Sequence, residues 1–253
     1  MLNEERRRSI VELVQQTRCA IVSDLARQFG TSAITIRRDL DVLAGRGLIC
    51  RTHGGALSVQ SASDSDHSLI ERELQHPREK LRIAVAAAKL VKEGQSVLLD
   101  SGSTTTAIAR QLRSFAQLTV ITNAINIADE LAGGTVDVIL TGGMLRKNSF
   151  SLIGPLAEES LTHLRADILF LGVEGIDTRF GLSTPNMLEA VLNRKMVLAA
   201  QQVVAVCDSS KFGCRSLSSI VPITAIHQVI TDTEAPVKML EELRRSGVRV
   251  ITA

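Results

Sequence analysis

Ser32-Ala33-Ile34-Thr35-Ile36-Arg37-Arg38-Asp39-Leu40 is the stretch on which the architecture turns. It opens on a hydroxyl residue suited to cap a helix, and Ile36, Leu40 and Leu43 recur at i, i+4 and i+7. At ~100° per residue that stripe fixes the buried direction. Ile34 and Arg38 then point nearly opposite to it, with Thr35 and Arg37 on the flanks. Upstream, Ile10, Leu13 and Val14 predict a helix from about Asn3 to Gln16. Ser23 is the expected cap of a second helix, with Leu25, Ala26 and Phe29 as its apolar stripe and Gly30 as the turn after it. Downstream, Gly45 and Gly47 end the third helix. Leu48-Ile49-Cys50-Arg51 reads as a short strand and His53-Gly54-Gly55 as a turn. Helix, turn, helix and then a hairpin is the order of a winged helix-turn-helix.

Charge supports a nucleic-acid role for this segment. The 253 residues carry a net charge of +2, but residues 1–57 hold nine Arg, no Lys and six acids, for +3, which leaves −1 on the rest. Aromatics are only 2%, six Phe with no Tyr or Trp. Single-strand binders that stack bases on aromatic platforms are thereby disfavoured, and duplex DNA needs no such platform. An arginine pair near a helix N-terminus conflicts with the macrodipole unless an anion lies close by. Arg37 and Arg38 therefore read as DNA contacts or as a solvated face. Ile34 and Thr35 accompany them, and Ser32 at the helix start is a further candidate DNA contact. Asp39 reads instead as a group that holds an Arg or a helix end. Arg51 and His53 fall in the wing, where phosphate contact is plausible; for His53, a turn-stabilising hydrogen bond is equally so.

Ser58-Val59-Gln60-Ser61-Ala62-Ser63-Asp64-Ser65-Asp66 is nearly devoid of large apolar groups and reads as a linker. The expected division is therefore a DNA-binding unit over 3–58, with its helix-turn-helix at about 20–39, a linker over 59–67 and a body over 68–253. The body alternates short apolar runs with helical patterns. The runs lie at 97–99, 119–121, 136–140, 168–171, 203–206, 229–230 and 248–251. The helices are expected at about 80–92, 104–113, 124–132, 155–164, 187–200 and 236–246. Continuous apolar runs suit strands buried on both faces, so the body reads as a doubly wound, largely parallel α/β sheet. No apolar run is long enough to span a bilayer. The N-terminus is charged from the outset, and Cys19, Cys50, Cys207 and Cys214 show no zinc spacing. A cytoplasmic protein with no metal or cofactor is the expectation.

Asp100-Ser101-Gly102-Ser103-Thr104-Thr105 follows one apolar run and opens a helix. Such a turn presents free N–H groups, hydroxyls and a positive dipole end to a phosphate, or is merely a hydroxyl-rich cap. Thr122-Asn123, Gly142-Gly143 and Asp208 to Gly213 follow other strand ends, where open α/β sheets bind ligands. Lys211 suits a phosphate or a sugar oxygen, or is a surface lysine.

Thr35-Ile36-Arg37-Arg38-Asp39-Leu40, with Leu43, Gly47, Arg51 and His53-Gly54-Gly55-Ala56, resembles the signature of the DeoR family of bacterial sugar-responsive repressors. The family usually has Val before the Ser of the turn, where Thr31 stands here. The resemblance extends through Asp100 to Thr105, Thr122-Asn123, Gly142-Gly143, Gly154, Gly172-Val173-Glu174-Gly175-Ile176-Asp177 and Asp208 to Gly213. It implies double-stranded operator DNA and a phosphorylated sugar effector as partners, the latter held by Asp100, Ser101, Gly102, Ser103, Thr104, Thr105, Thr122, Asn123, Gly142, Gly143, Glu174, Asp177, Asp208 and Lys211. It also implies a homodimer or homotetramer. The body further resembles ribose-5-phosphate isomerase, whose phosphate loop is similar. Leu140 to Gly143, Leu145-Arg146, Leu169 to Val173 and Leu192-Asn193-Arg194 look most like the branch regulating N-acetylgalactosamine use, which implies an amino-sugar or tagatose phosphate.

Two rival functions are an active sugar-phosphate isomerase and a ligand-free DNA-binding scaffold. Isomerisation needs a carboxylate base and an electrophile. Gly181-Leu182-Ser183-Thr184-Pro185-Asn186 stands in place of the isomerase's Lys-bearing run, and Asn193-Arg194-Lys195 in place of its Arg-Glu-Lys. A sensor without catalytic residues is expected.

Overall fold

The structure is a computed structural model, and it describes residues 3–17, 19–51, 55–58 and 68–253. The proposed linker 59–67 and His53 lie outside the described residues, as does the side chain of Arg51.

Three helices and a small antiparallel sheet make the first unit: α1 (Asn3–Thr17), β1 (Cys19–Ile21), α2 (Val22–Gln28), α3 (Ala33–Gly45), β2 (Ile49–Arg51) and β3 (Gly55–Ser58). Ile10, Val14, Leu25, Ile36, Leu40 and Leu43 close one apolar core, as the stripes require. Ser32 Oγ accepts the Thr35 N–H at 3.1 Å and caps α3, while Gly30 and Gly47 take left-handed backbone at φ 58° and 70°. Strand β1 has no counterpart among the sequence patterns. Three residues carry no measurable period, and β1 exists because it pairs with β3 (Cys19↔Leu57) in the order β1-β3-β2. It runs directly into α2, so Ser23 lies inside that helix rather than capping it.

Asp39 joins the two ends of this unit. Arg6 Nε donates to its Oδ2 at 2.7 Å and Arg7 Nε to its Oδ1 at 2.8 Å, while the aspartate is 2% exposed. The α3 carboxylate thus fastens the start of α1.

The body begins with α4 (Leu69–Leu74) and α5 (Pro77–Ala88), followed by β4 (Ser96–Leu99), α6 (Ser103–Leu112), β5 (Thr119–Thr122), α7 (Ile125–Leu131) and β6 (Asp137–Leu140). The short pair β7 (Met144–Arg146) and β8 (Ser151–Ile153) comes next. It is followed by α8 (Pro155–Thr162), β9 (Ala166–Gly172), β10 (Gly175–Asp177), β11 (Gly181–Thr184), α9 (Met187–Leu198), β12 (Ala200–Val206), β13 (Ser218–Ser219), β14 (Gln228–Thr231), α10 (Val237–Arg245) and β15 (Arg249–Thr252). Seven strands form one sheet in the order β15-β14-β12-β9-β4-β5-β6, all parallel. Alternate residues enter opposite cores. Ile168 and Phe170 of β9 pack with α5, α6 and α7, while Leu169 and Leu171 pack with α8, α9 and α10. Helix α9 stops at Leu198, short of the expected 200, because Ala200 already pairs with Ala166 of β9. The apolar runs do not predict β7, β8, β10, β11 or β13. These are two to four residues long and antiparallel, and each exists through a partner.

The sheet order contains a reversal of winding. From β4 the chain moves outward through β5 and β6, then returns to β9 on the other side of β4 and moves outward the opposite way. The winding therefore reverses between β4 and β9, and ligands of open α/β sheets sit beyond the carboxyl ends of the strands at such a reversal.

Candidate functional site

Two sites stand on these frames. On α3, Ser32, Ile34, Arg37 and Arg38 are exposed and Thr35 is partly so. Ile34 is 62% exposed, and a bare isoleucine beside two arginines suits a contact face rather than a core. Arg51 lies in β2, at the wing.

The second site is a cleft at the winding reversal. Asp100, Ser101, Gly102, Ser103 and Thr104 line it from the β4–α6 turn, Gly172, Val173 and Glu174 from the end of β9, and Cys207, Asp208 and Lys211 from the end of β12. Asp100 binds the two halves together, since the Gly172 N–H donates to its Oδ1 at 2.9 Å. Gly102 precedes helix α6 as its N-cap and supplies no side-chain cap, so the start of the helix, whose residues Ser103 and Thr104 line the cleft, keeps N–H groups that this cap leaves unclaimed.

Other candidates lie outside the lining. The Thr105 hydroxyl donates to the Gly102 carbonyl at 2.9 Å. Thr122 Oγ1 accepts the Ala124 N–H at 3.1 Å, and Asn123 Nδ2 donates to the Leu152 carbonyl at 3.2 Å. Gly142 and Gly143 form a left-handed turn, and a Cβ on Gly143 would stand 2.7 Å from the Ile153 carbonyl. Asp177 accepts the Arg179 and Phe180 N–H groups and pairs with Arg215 at 3.0 Å. These residues shape the loops around the cleft.

Arg72, Gln75, Lys80, Thr184, Glu189 and Asn193 also line the cleft, and sequence reasoning assigns none of them, nor Cys207, to it. Arg72, Gln75 and Lys80 belong to the α4–α5 segment and meet the strand ends only in the folded chain. Asn193 enters the sequence reading only through a branch motif and through the run that replaces the isomerase's Arg-Glu-Lys.

The cleft is electrostatically tight. Glu174 receives Arg72 at 2.9 Å on Oε1 and Lys211 at 2.5 Å on Oε2. Burial opposes its ionisation, yet Lys211 and Arg72 outweigh that and hold its carboxyl down at about 2. Burial likewise disfavours the Lys211 ammonium, but Glu174 and Asp208 raise it well above the ordinary lysine value. Burial pulls Lys80 down to about 8, and its Nζ donates to the carbonyls of Arg72 and Gln75. Glu189 is held at the rim by Arg146 at 3.1 Å and by the Ser149 and Ser151 hydroxyls.

Asp100 makes a pH prediction. Burial, aided by Glu189 and opposed by the Gly172 N–H, raises its carboxyl from 3.8 to about 7. Between those values the folded chain holds a proton that the unfolded chain has released, so Asp100 makes stability fall as pH rises from near 4 to about 7. Lys80 acts in a separate window: with its value lowered from 10.5 to about 8, stability rises with pH between those limits. In Asp100→Asn the fall across the lower window is expected to shrink, as read by denaturant unfolding at several pH values. An unaltered slope would show that Asp100 is ionised in the fold.

Among the described residues no helix is long and apolar enough to cross a membrane, and no group of three or more His, Cys, Asp or Glu is placed to hold a metal.

The family profile described as a DeoR-like helix-turn-helix domain matches residues 6–62, and the one described as the DeoR C terminal sensor domain matches residues 75–233. The chain is 40% identical over 249 residues to the putative aga operon transcriptional repressor of Escherichia coli O157:H7, covering 98% of this chain and 93% of that protein. It is 32% identical over 244 residues to the glycerol-3-phosphate regulon repressor of Escherichia coli K12, covering 96% of each. Among solved structures, ribose 5-phosphate isomerase A from Methanocaldococcus jannaschii aligns over 53% of each chain at 19% identity and a TM-score of 0.38, a likeness too low to carry an inference.

Proposed function

The chain belongs to the DeoR family of transcriptional regulators, and from that premise we propose that it is a DNA-binding repressor whose operator affinity is lowered by a phosphorylated sugar held in the cleft. The observation that carries the effector is that the uncapped N-terminus of α6, Lys211 and Lys80 line one cleft at the winding reversal. A phosphate there meets backbone donors, a dipole end and ammonium groups at once. Asp100, Glu189, Asn193 and Thr184 supply acceptors and donors for sugar hydroxyls. Kinship with an aga operon repressor favours an amino-sugar or tagatose phosphate over other sugars.

In this reading residues 3–58 are the DNA-binding unit, 59–67 the linker and 68–253 the sensor, acting in the cytoplasm. Ser32, Ile34, Thr35, Arg37 and Arg38 enter the major groove, and Arg51 and His53 meet the backbone from the wing. One winged unit makes limited contacts, so a homodimer or homotetramer reading repeated half-sites is part of the proposal.

Thermal unfolding of the full chain with fructose 6-phosphate, tagatose 6-phosphate, galactosamine 6-phosphate and inorganic phosphate tests the effector. Binding to the native state raises the melting temperature by mass action, and no rise with any of the four would sink the reading. On the DNA side, Arg38→Ala is expected to weaken binding to duplexes selected from a random library by about 10–100-fold, the loss of one good arginine contact. Retardation equal to that of the parent protein would remove Arg38 from the interface.

A further inference from the structure

Residues 59–67 lead in sequence from the DNA-binding unit to α4, the first element of the sensor. This six-residue helix starts with a reciprocal cap: Ser68 Oγ accepts the Glu71 N–H at 3.2 Å, and the Glu71 carboxylate accepts the Ser68 N–H at 3.0 Å. Apolar burial holds little of it, because Leu69 is buried while Ile70 and Leu74 are exposed. Its other ties are polar. The Leu69 N–H donates to the Asn148 carbonyl at 2.8 Å, Glu73 pairs with Arg110 at 3.3 Å, and Lys80 holds the Arg72 and Gln75 carbonyls. A further tie, Arg72 to Glu174, lies in the wall of the cleft itself.

Two features of that tie point to a ligand. Arg72 and Lys211 share the single Glu174 carboxylate, so the triad keeps one positive charge facing the uncapped start of α6. In addition, Arg72 Nε is buried without a hydrogen-bond partner, on a side chain only 14% exposed. A buried donor lacking an acceptor is unfavourable, and an oxyanion placed against it would relieve the deficit.

We infer that Arg72 is a further effector-binding residue and the positioning link through which an anion in the cleft moves α4 and so lowers operator affinity. The inference rests on the sugar-phosphate reading above. An entering phosphate gives Nε its acceptor and competes with Glu174 for the guanidinium. Helix α4 thus exchanges an internal carboxylate tie for a tie to the ligand. The effector selects the α4 position in which Arg72 reaches it, and by linkage DNA weakens the effector by the same factor that the effector weakens DNA.

The test uses the full chain and the four phosphate probes named above. In the parent protein, the probe giving the largest thermal shift is expected to weaken binding to library-selected duplex about tenfold. It is also expected to change amide exchange over residues 69–76 by about fivefold. In Arg72→Gln at saturating probe, both responses are expected to fall below about twofold, with Arg72→Lys intermediate because it restores the charge without Nε. Glu73→Gln, which loses only the surface contact with Arg110, is the control expected to keep both responses. Glu174→Gln breaks the tie from the other side and is expected to speed exchange of the α4 amides about fivefold with no anion present. Full DNA release by Arg72→Gln at saturation overturns the inference alone, as does an unaltered α4 exchange rate in Glu174→Gln. Absence of any thermal shift in the parent protein overturns the sugar-phosphate reading and the inference with it.

Discussion

Asp39→Ala is expected to abolish DNA binding while leaving the thermal response to sugar phosphates in place. Both oxygens of this buried carboxylate are used, one by Arg6 and one by Arg7, and they join α3 to the start of α1. Its removal takes away the carboxylate to which the Arg6 guanidinium donates, and Arg6 is only 7% exposed. Breaking one partner out of such a pair costs about 3–5 kcal/mol. Arg7 contributes less to that cost, since it is more exposed and also pairs with Glu4 at 3.0 Å. A unit of this size has a stability near the low end of ~5–15 kcal/mol, so the loss is expected to unfold much of it at physiological temperature. The measurements are retardation of library-selected duplex and amide protection over residues 3–17. DNA binding within about twofold of the parent would mean that Asp39 contributes little beyond its desolvation cost.

Ser103→Glu is expected to give a repressor that holds DNA and ignores its effector. Ser103 is the first residue of α6 and lines the cleft. A glutamate there places a carboxylate in front of the N–H groups proposed to hold the phosphate, and it would repel an incoming dianion. The helix itself tolerates the change, since an acid in the first turn complements the dipole. The expected loss in sugar-phosphate affinity is at least about 100-fold, or ~3 kcal/mol, read by thermal shift or calorimetry. Retained release of DNA by sugar phosphate would reduce the Ser/Thr turn to a helix start with no ligand.

Much of the fold is legible from local patterns. The stripe Ile36-Leu40-Leu43 reports a helix because side chains three and four apart share one face, and all three residues are buried. The continuous apolar run at Ile168-Leu169-Phe170-Leu171 reports a strand with cores on both sides, and alternate residues do enter separate cores. Strands such as β1 and β13 leave no such trace. At two or three residues they have no period of their own, and a partner strand brings them into being. Of the site, the Asp100–Thr104 turn is legible because strand end, small polar residues and helix start are contiguous. Glu189 and Lys80 are not, because on their own helices nothing distinguishes them from solvated charges.

Local sequence suffices for the kind and order of the main elements, for the capped α3 with its outward arginines, and for the phosphate-suited turn after β4. Each is written within a few neighbouring residues, whose spacing fixes which way side chains face. Folding of the whole chain was needed to set β9 beside β4, to bring the Gly172 N–H onto Asp100, and to carry Arg72 to Glu174 across 102 positions of chain. Sheet order and packing govern such meetings, and these depend on the whole apolar surface being buried at once rather than on any local period.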